Sequence, residues 1–151
     1  MDDMTLASLL AGCAGGPYPG SWQAAPFTEH TVDGVLYALV ALDPGLSALG
    51  VRRADGSLWG LPEDDTPHLV NSSAAAFMAC SRAYARAAAE AEAYTAPAPE
   101  SEDLEDIAEA AADALSEALL ARFEAVDAAA VADENSFWCV AAEELGYAMS
   151  V

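Results

Sequence analysis

The sequence predicts an α+β fold: an antiparallel or mixed sheet of about four to six strands, flanked by one N-terminal helix and three C-terminal helices. Between residues 28 and 61, short apolar runs alternate with turn-forming pairs, a pattern typical of antiparallel strands. From residue 73 onward the apolar side chains recur at helical spacing. A length of 151 residues and an apolar fraction of 54% suit one domain spanning residues 1–151.

The N-terminal segment predicts a short apolar helix over residues 3–13, which a loop rich in Gly and Pro ends at residues 15–20. The glycines of this loop are not followed by the Lys-Ser/Thr pair of a phosphate-binding loop. We therefore interpret residues 15–20 as a turn and not as a nucleotide site.

The sheet is predicted from strand-length runs that are separated by Asp33-Gly34, Asp43-Pro44-Gly45 and Asp55-Gly56. Such short separators connect antiparallel neighbours, so the strands should form a meander. Residues 35–42 are apolar at nearly every position, which favours a central strand covered on both faces. The predicted strands are 28–32, 35–42, 46–53 and 57–61, with a fifth at 68–70.

Three helices are predicted after the sheet. The first begins at Ser73 and places Phe77, Cys80 and Tyr84 on one stripe. The Ala/Pro/Glu-rich stretch near 95–102 contains two prolines and cannot continue it, so a flexible loop is expected there. A second helix should start near residue 101 and a third near residue 136.

The junction before the first of these helices offers several capping groups. Asn71, Ser72 and Ser73 can each accept a hydrogen bond from a free N–H at a helix start. The predicted role of all three side chains is local and structural, because each is explained as a cap.

The second helix predicts one apolar and one acidic face. Its apolar face comprises Leu104, Ile107, Ala108, Ala111, Leu115, Leu119 and Phe123. Its other face carries Glu102, Glu105, Asp106, Glu109, Asp113 and Glu117. Like charges four residues apart repel weakly, so this row is either a solvated face or a surface that a basic partner makes favourable.

Two segments resemble a known family of bacterial proteins. The strand Gly56-Ser57-Leu58-Trp59-Gly60-Leu61-Pro62 and the junction Val70-Asn71-Ser72-Ser73, followed by Phe77, are similar to the SUKH-4 immunity proteins of the Syd/US22/Knr4-related superfamily. Phe137-Trp138 and Glu143-Glu144-Leu145-Gly146-Tyr147 resemble the closing helix of that family. The resemblance implies a SUKH-like fold and a protein that binds and neutralises a cognate toxin of a polymorphic toxin system, without catalytic residues.

The charge of the chain restricts its partners. The formal net charge is −20, with 25 acidic residues against five arginines and no lysine. Nucleic acid and anionic membrane surfaces are therefore disfavoured, because both require positive charge on the protein. A basic partner is favoured. The toxins that the resemblance implies include nucleases and nucleic-acid deaminases, whose clefts are commonly basic, and the toxin is expected from a neighbouring gene.

The cysteines favour a reducing compartment. Cys13, Cys80 and Cys139 are odd in number and widely spaced, which argues against a disulfide framework and against a zinc site. Leu10-Ala11-Gly12-Cys13 matches a bacterial lipobox, but Asp2 and Asp3 precede it where a lipoprotein signal carries positive charge. A cytoplasmic protein is predicted, and lipidation at Cys13 stays the open alternative.

No catalytic set emerges from the sequence. His30 and His68 lack neighbours at metal-ligand spacing, and neither metal nor cofactor is expected. Cys80 and Cys139 are predicted to be buried in helices and inert. Candidate partner contacts are the loop Glu63, Asp64 and Asp65 and the helix row Glu102, Asp103, Glu105, Asp106, Glu109 and Asp113. The alternatives are a regulatory or scaffold module of the same superfamily and, from another class, an enzyme.

Overall fold

The structure is a computed structural model that describes residues 2–11, 17–94 and 104–149; the side chains of residues 104–106 and 149 lie outside this description. Within it the chain forms six strands: β1 (Ser21–Trp22), β2 (Glu29–Val32), β3 (Val35–Asp43), β4 (Ser47–Arg52), β5 (Leu58–Pro62) and β6 (His68–Asn71). The helices are α1 (Asp3–Leu9), α2 (Ala74–Ala93), α3 (Leu104–Val126), a 3-10 helix (Ala128–Val131) and α4 (Phe137–Met149). The α+β prediction is confirmed.

The strands form one antiparallel sheet in the order β1-β3-β4-β5-β6, with β2 also paired to β3. The predicted meander of five strands is present, and turn-forming glycines with positive φ stand in three of its four connections. Gly34, Gly45 and Gly56 have φ values of 80°, 82° and 75°, which L side chains rarely adopt. The sequence analysis missed the two-residue strand β1, whose short length carries no alternation.

The helices cover one face of the sheet. Ala38, Val40 and Ala41 of β3 are fully buried with Phe77 of α2 and Trp138 of α4 in one core. The ring centroids of Trp22 and Phe77 lie 5.6 Å apart, and those of Phe77 and Trp138 lie 5.5 Å apart. The aromatic cluster therefore joins the sheet edge to two helices, as the predicted packing of Phe77 and of the C-terminal aromatics requires.

A β-bulge in β3 explains which side chains face the core. The pairing of β3 with β4 shifts register between Leu39 and Ala41, so Val40 is an additional residue on this strand. As a result, the neighbours Val40 and Ala41 are both fully buried, while Leu39 and Leu42 are only half-buried. The expectation that β3 is covered on both faces is therefore wrong. Its second face takes part in a groove.

An ion pair fastens α1 to the sheet. The Arg53 guanidinium lies 2.6 Å from the Asp3 carboxylate and 3.4 Å from that of Glu29. The second carboxylate oxygen of Asp3 accepts a hydrogen bond from the Phe27 N–H at 3.1 Å. Asp3 thus links the helix start to the segment before β2.

The predicted helices agree with the structure apart from their ends. The N-terminal helix ends at Leu9, four residues before the predicted end at Cys13, and residues 12–16 lie outside the described part of the chain. The predicted loop at 95–102 lies outside it as well. Ile107, predicted on the apolar face of α3, is 38% exposed, whereas Leu119 and Phe123 are buried as predicted.

Candidate functional site

The Asn-Ser-Ser junction proves to be a polar connection between β6 and the end of α3, and only in part a helix cap. Ser73 alone accepts from the helix start, at 3.0 Å from the Ala76 N–H. The Ser72 N–H and hydroxyl both donate to the Asp127 carboxylate at 2.7 Å. The prediction that all three side chains serve as caps is therefore wrong for Asn71 and Ser72, because both face the end of α3.

Asn71 is the centre of this connection. Its side chain is fully buried, its amide donates to Asp127 Oδ2 at 3.1 Å, and its carbonyl oxygen accepts from Trp138 Nε1 at 2.6 Å. These bonds join residues that are 56 and 67 positions apart in the sequence. The motif that carries the family resemblance thus locks the helices onto the end of β6.

Asp127 remains ionised in this setting. Burial alone would raise the pKa of its carboxyl, but the hydrogen bonds from the Ser72 backbone, the Ser72 hydroxyl and the Asn71 amide outweigh it and lower the pKa below the ordinary 3.8. The sequence analysis missed Asp127, which lies between α3 and the 3-10 helix, since nothing in the local sequence sets it apart from the neighbouring acids.

The acidic loop Glu63-Asp64-Asp65 connects β5 to β6, and all three residues are exposed. The Glu63 N–H donates to the Leu46 carbonyl at 3.0 Å, which fixes the loop beside the turn between β3 and β4. Leu46 is itself 67% exposed. Carboxylates and an apolar side chain therefore lie next to each other at this end of the sheet.

A groove of about 670 Å³ crosses the sheet face opposite the helices. Its apolar lining comprises Val32, Leu39, Leu42, Ala48 and Leu61, and its acidic lining comprises Asp33, Asp43, Glu63 and Asp65. His30 also lines the groove, and no arginine is among its lining residues. The groove was not predicted, because its residues come from β2, β3, β4, β5 and the three connections between these strands and β6. Of the three acids in the predicted loop, Glu63 and Asp65 line the groove.

The acidic row on α3 lies in a different part of the molecule. Glu109, Asp113 and Glu117 are exposed on this helix, which packs on α2, α4 and the 3-10 helix. Glu105 and Asp106 belong to α3, but their side chains are outside the described part, and Glu102 and Asp103 lie outside it altogether. Among the described residues, the two predicted acidic surfaces therefore lie on different elements, one in the β5–β6 loop and one on α3.

The Cys80 thiol is not activated. Cys80 is buried, and burial raises the pKa of its thiol to about 11, which keeps it protonated at neutral pH. Cys139 is half-buried and its sulfur points to the Val131 carbonyl at 3.8 Å. Cys13 lies outside the described residues.

The two histidines lie far apart in the fold. His30 on β2 and His68 on β6 lie at opposite edges of the sheet. Across the described ranges no cluster of three metal-binding side chains is found. No helix within residues 2–11, 17–94 and 104–149 is both long and apolar enough to cross a bilayer.

These features define an acidic α+β domain whose sheet is backed by helices on one face and carries a groove on the other. The family model of the SUKH-4 immunity proteins matches residues 13–144, and the chain belongs to this family. No curated protein and no solved structure matches the sequence. The family assignment made from the Asn-Ser-Ser junction and the C-terminal aromatic helix is thus confirmed, and with it an immunity function.

Proposed function

We propose that this immunity protein binds one cognate toxin domain at 1:1 stoichiometry and neutralises it by covering its active surface. Membership of the SUKH-4 family is the observation that supports this proposal, because an immunity protein has a toxin as its partner. Occlusion requires no chemistry from the immunity protein itself. The inert, protonated Cys80 is in keeping with such a role.

The toxin is a basic domain that acts on nucleic acid, either a nuclease or a nucleic-acid deaminase of a polymorphic toxin system. The net charge of −20, without a single lysine, supports this choice. A cleft that binds phosphates is positively charged, so carboxylates of this protein can occupy the positions that phosphates otherwise take. The same charge excludes competition by nucleic acid for the surface of the immunity protein.

Neutralisation takes place in the cytoplasm of the producing cell, and the toxin is encoded by a neighbouring gene. A toxin that reaches nucleic acid inside the cell must be covered there before it acts. The affinity should come from a few desolvated anchor residues, with surrounding carboxylates that accelerate encounter.

Co-expression tests this function. The C-terminal domain encoded immediately upstream is produced in a bacterial host with and without this protein, and survival and co-purification are scored. A toxin domain of the same chemistry with a different immunity partner serves as the specificity control. Rescue from the cognate domain alone, with a 1:1 complex by native mass spectrometry, is expected.

Toxicity that persists without formation of a complex would contradict the cognate pair. That result would favour the alternative function, a regulatory or scaffold module of the same superfamily. Loss of toxicity without any complex would instead require a catalytic explanation.

A further inference from the structure

We infer that the groove on the helix-free face of the sheet is the toxin-docking surface, and that it receives a basic segment whose apolar side chain enters the groove. This inference deepens the proposed function and depends on it for the identity of the partner. The binding mode itself can be tested separately.

The floor of the groove is apolar for a reason that lies in the sheet. Leu39 and Leu42 share this face because the bulge at Val40 restores their common orientation, and Leu61 pairs beside Ala48 on the neighbouring strands. Gly50 lies between them: a Cβ there would stand 2.7 Å from the Leu61 side chain and 3.0 Å from that of Tyr37. The side chains of Leu61 and Tyr37 thus cover Gly50, and Ala48 is the small lining residue that leaves space for a partner side chain.

Carboxylates border the groove at both ends. Asp33 stands in the turn before β3, while Asp43, Glu63 and Asp65 stand at the opposite end of that strand. Among the lining residues these acids meet no arginine, and the chain has no lysine. An apolar cleft with acids at its ends complements an apolar side chain flanked by arginines or lysines.

The acidic row on α3 is the weaker candidate for the docking surface. Glu109, Asp113 and Glu117 are exposed on α3, and none of them lines the apolar groove. Charge without an enclosed apolar contact steers encounter but contributes little to the lifetime of a complex.

A peptide experiment tests the groove without the toxin. The ¹⁵N-labelled protein is titrated with a capped five-residue peptide that alternates arginine and leucine, and with a control peptide in which glutamine replaces arginine. Saturable shifts at the amides of Leu39, Leu42 and Ala48, at least about tenfold weaker with the control peptide, are expected. Shifts that cluster on α3, or no saturable shift in the groove, would overturn the inference.

Two matched variants then test the same site with the toxin domain. Asp43→Asn/Glu63→Gln/Asp65→Asn neutralises three of the four acids of the groove, and Glu109→Gln/Asp113→Asn/Glu117→Gln neutralises three acids of α3. The groove variant is expected to raise the dissociation rate constant by about tenfold, and the α3 variant by less than about twofold. The reverse order would reject the groove and leave the immunity function intact.

A third variant probes the apolar floor alone. Ala48→Phe fills the groove without changing the charge, and it should abolish the groove shifts and weaken toxin binding. Its circular dichroism spectrum and thermal midpoint show whether it folds. Unchanged toxin binding by a folded Ala48→Phe protein would reject the groove. If the wild-type protein does not bind the toxin, the proposed function is wrong. The peptide titration then still shows whether the groove binds a basic segment.

Discussion

At the residue scale, Asn71 has a structural role that differs from the one its sequence position indicates. Its position before a helix is typical of a capping residue, yet its side chain is fully buried and bonds to Asp127 and Trp138. A buried amide is costly unless its donors and its acceptor are satisfied. Its partners are Asp127, which lies between α3 and the 3-10 helix, and Trp138 of α4, so the role of Asn71 exists only in the folded chain.

The Asp127→Asn substitution should destabilise the protein by about 2–3 kcal/mol at pH 7, because the new amide group faces the donors of Ser72 and Asn71. Urea unfolding followed by tryptophan fluorescence measures the difference. Asp113→Asn is the control, since Asp113 is exposed and its loss should change stability by less than about 0.5 kcal/mol. Equal stability of the two variants would show that the buried bonds contribute little.

The same carboxylate predicts a pH dependence with a definite sign. Since folding lowers the pKa of Asp127 below the ordinary 3.8, its contribution is complete above that value and is lost as the pH falls toward the folded pKa. The stability difference between wild type and Asp127→Asn should therefore be constant from pH 7 to 5 and shrink below about pH 4. Urea unfolding at several pH values checks this. A difference that grows on acidification would contradict the ionised Asp127.

At the scale of elements, the close approach of α4 to α3 depends on a glycine. A Cβ at Gly146 would lie 3.0 Å from the Ala112 carbonyl oxygen and 3.4 Å from the Ser116 Cβ. Both neighbours belong to α3, whose backbone cannot yield without disturbing the packing of Leu119 and Phe123. Gly146 therefore sets the distance between the two helices, although the residue is unfavourable within a helix.

We expect Gly146→Val to cost about 2 kcal/mol through overpacking against α3. Ala148→Val on the exposed side of the same helix introduces the same β-branched residue without that contact and should cost less than about 1 kcal/mol. Thermal unfolding monitored by circular dichroism compares them. Similar midpoints for both variants would mean that α4 can move away from α3 without loss.

At the scale of the whole molecule, the charge determines how a partner approaches. With 25 acidic residues against five arginines, the long-range field attracts a basic domain regardless of which face it finally contacts. Salt weakens this attraction over a Debye length of about 8 Å at physiological ionic strength. Charge should thus dominate the association rate, whereas groove contacts should dominate the dissociation rate.

Charge reversal at Glu63–Asp65, or at the acids from Glu102 to Glu109, should slow toxin association and make it less sensitive to salt. Stopped-flow association rates over a series of NaCl concentrations measure both effects. Arg122→Glu is the opposite control, because Arg122 is exposed and its reversal makes the protein more acidic; it should speed association. Rates that are unchanged in all three proteins would remove electrostatic steering from the account.

Much of the fold could be predicted because its signals are local. The turns at Asp33-Gly34, Asp43-Pro44-Gly45 and Asp55-Gly56 separate the strands, and the apolar spacing after Ser73 defines the helices. The predicted burial of Phe77 and Trp138 is confirmed, whereas Ile107 is exposed. Periodicity identifies the apolar face of a helix, but it does not show how much of that face is covered by packed neighbouring elements.

The candidate site was only partly accessible from the sequence. The acidic loop at Glu63–Asp65 was visible as a run of charge, and its role in binding stays a prediction. The groove beside it was not visible, because Leu39, Leu42, Ala48 and Leu61 come together only after a bulge and two strand pairings set their orientation. A single additional residue in β3 reverses which side chains face the core.

The sequence by itself determined the α+β class, the order of most elements, the acidity of the surface and, through two short segments, the immunity family. These depend on composition, on spacing over a few residues or on direct likeness. Only the tertiary structure decided that Asn71 and Ser72 bind Asp127, that Gly146 admits α4 to α3 and that one sheet face forms a groove. Each of these connects residues distant in the chain, whose partners are set by packing rather than by neighbouring residues.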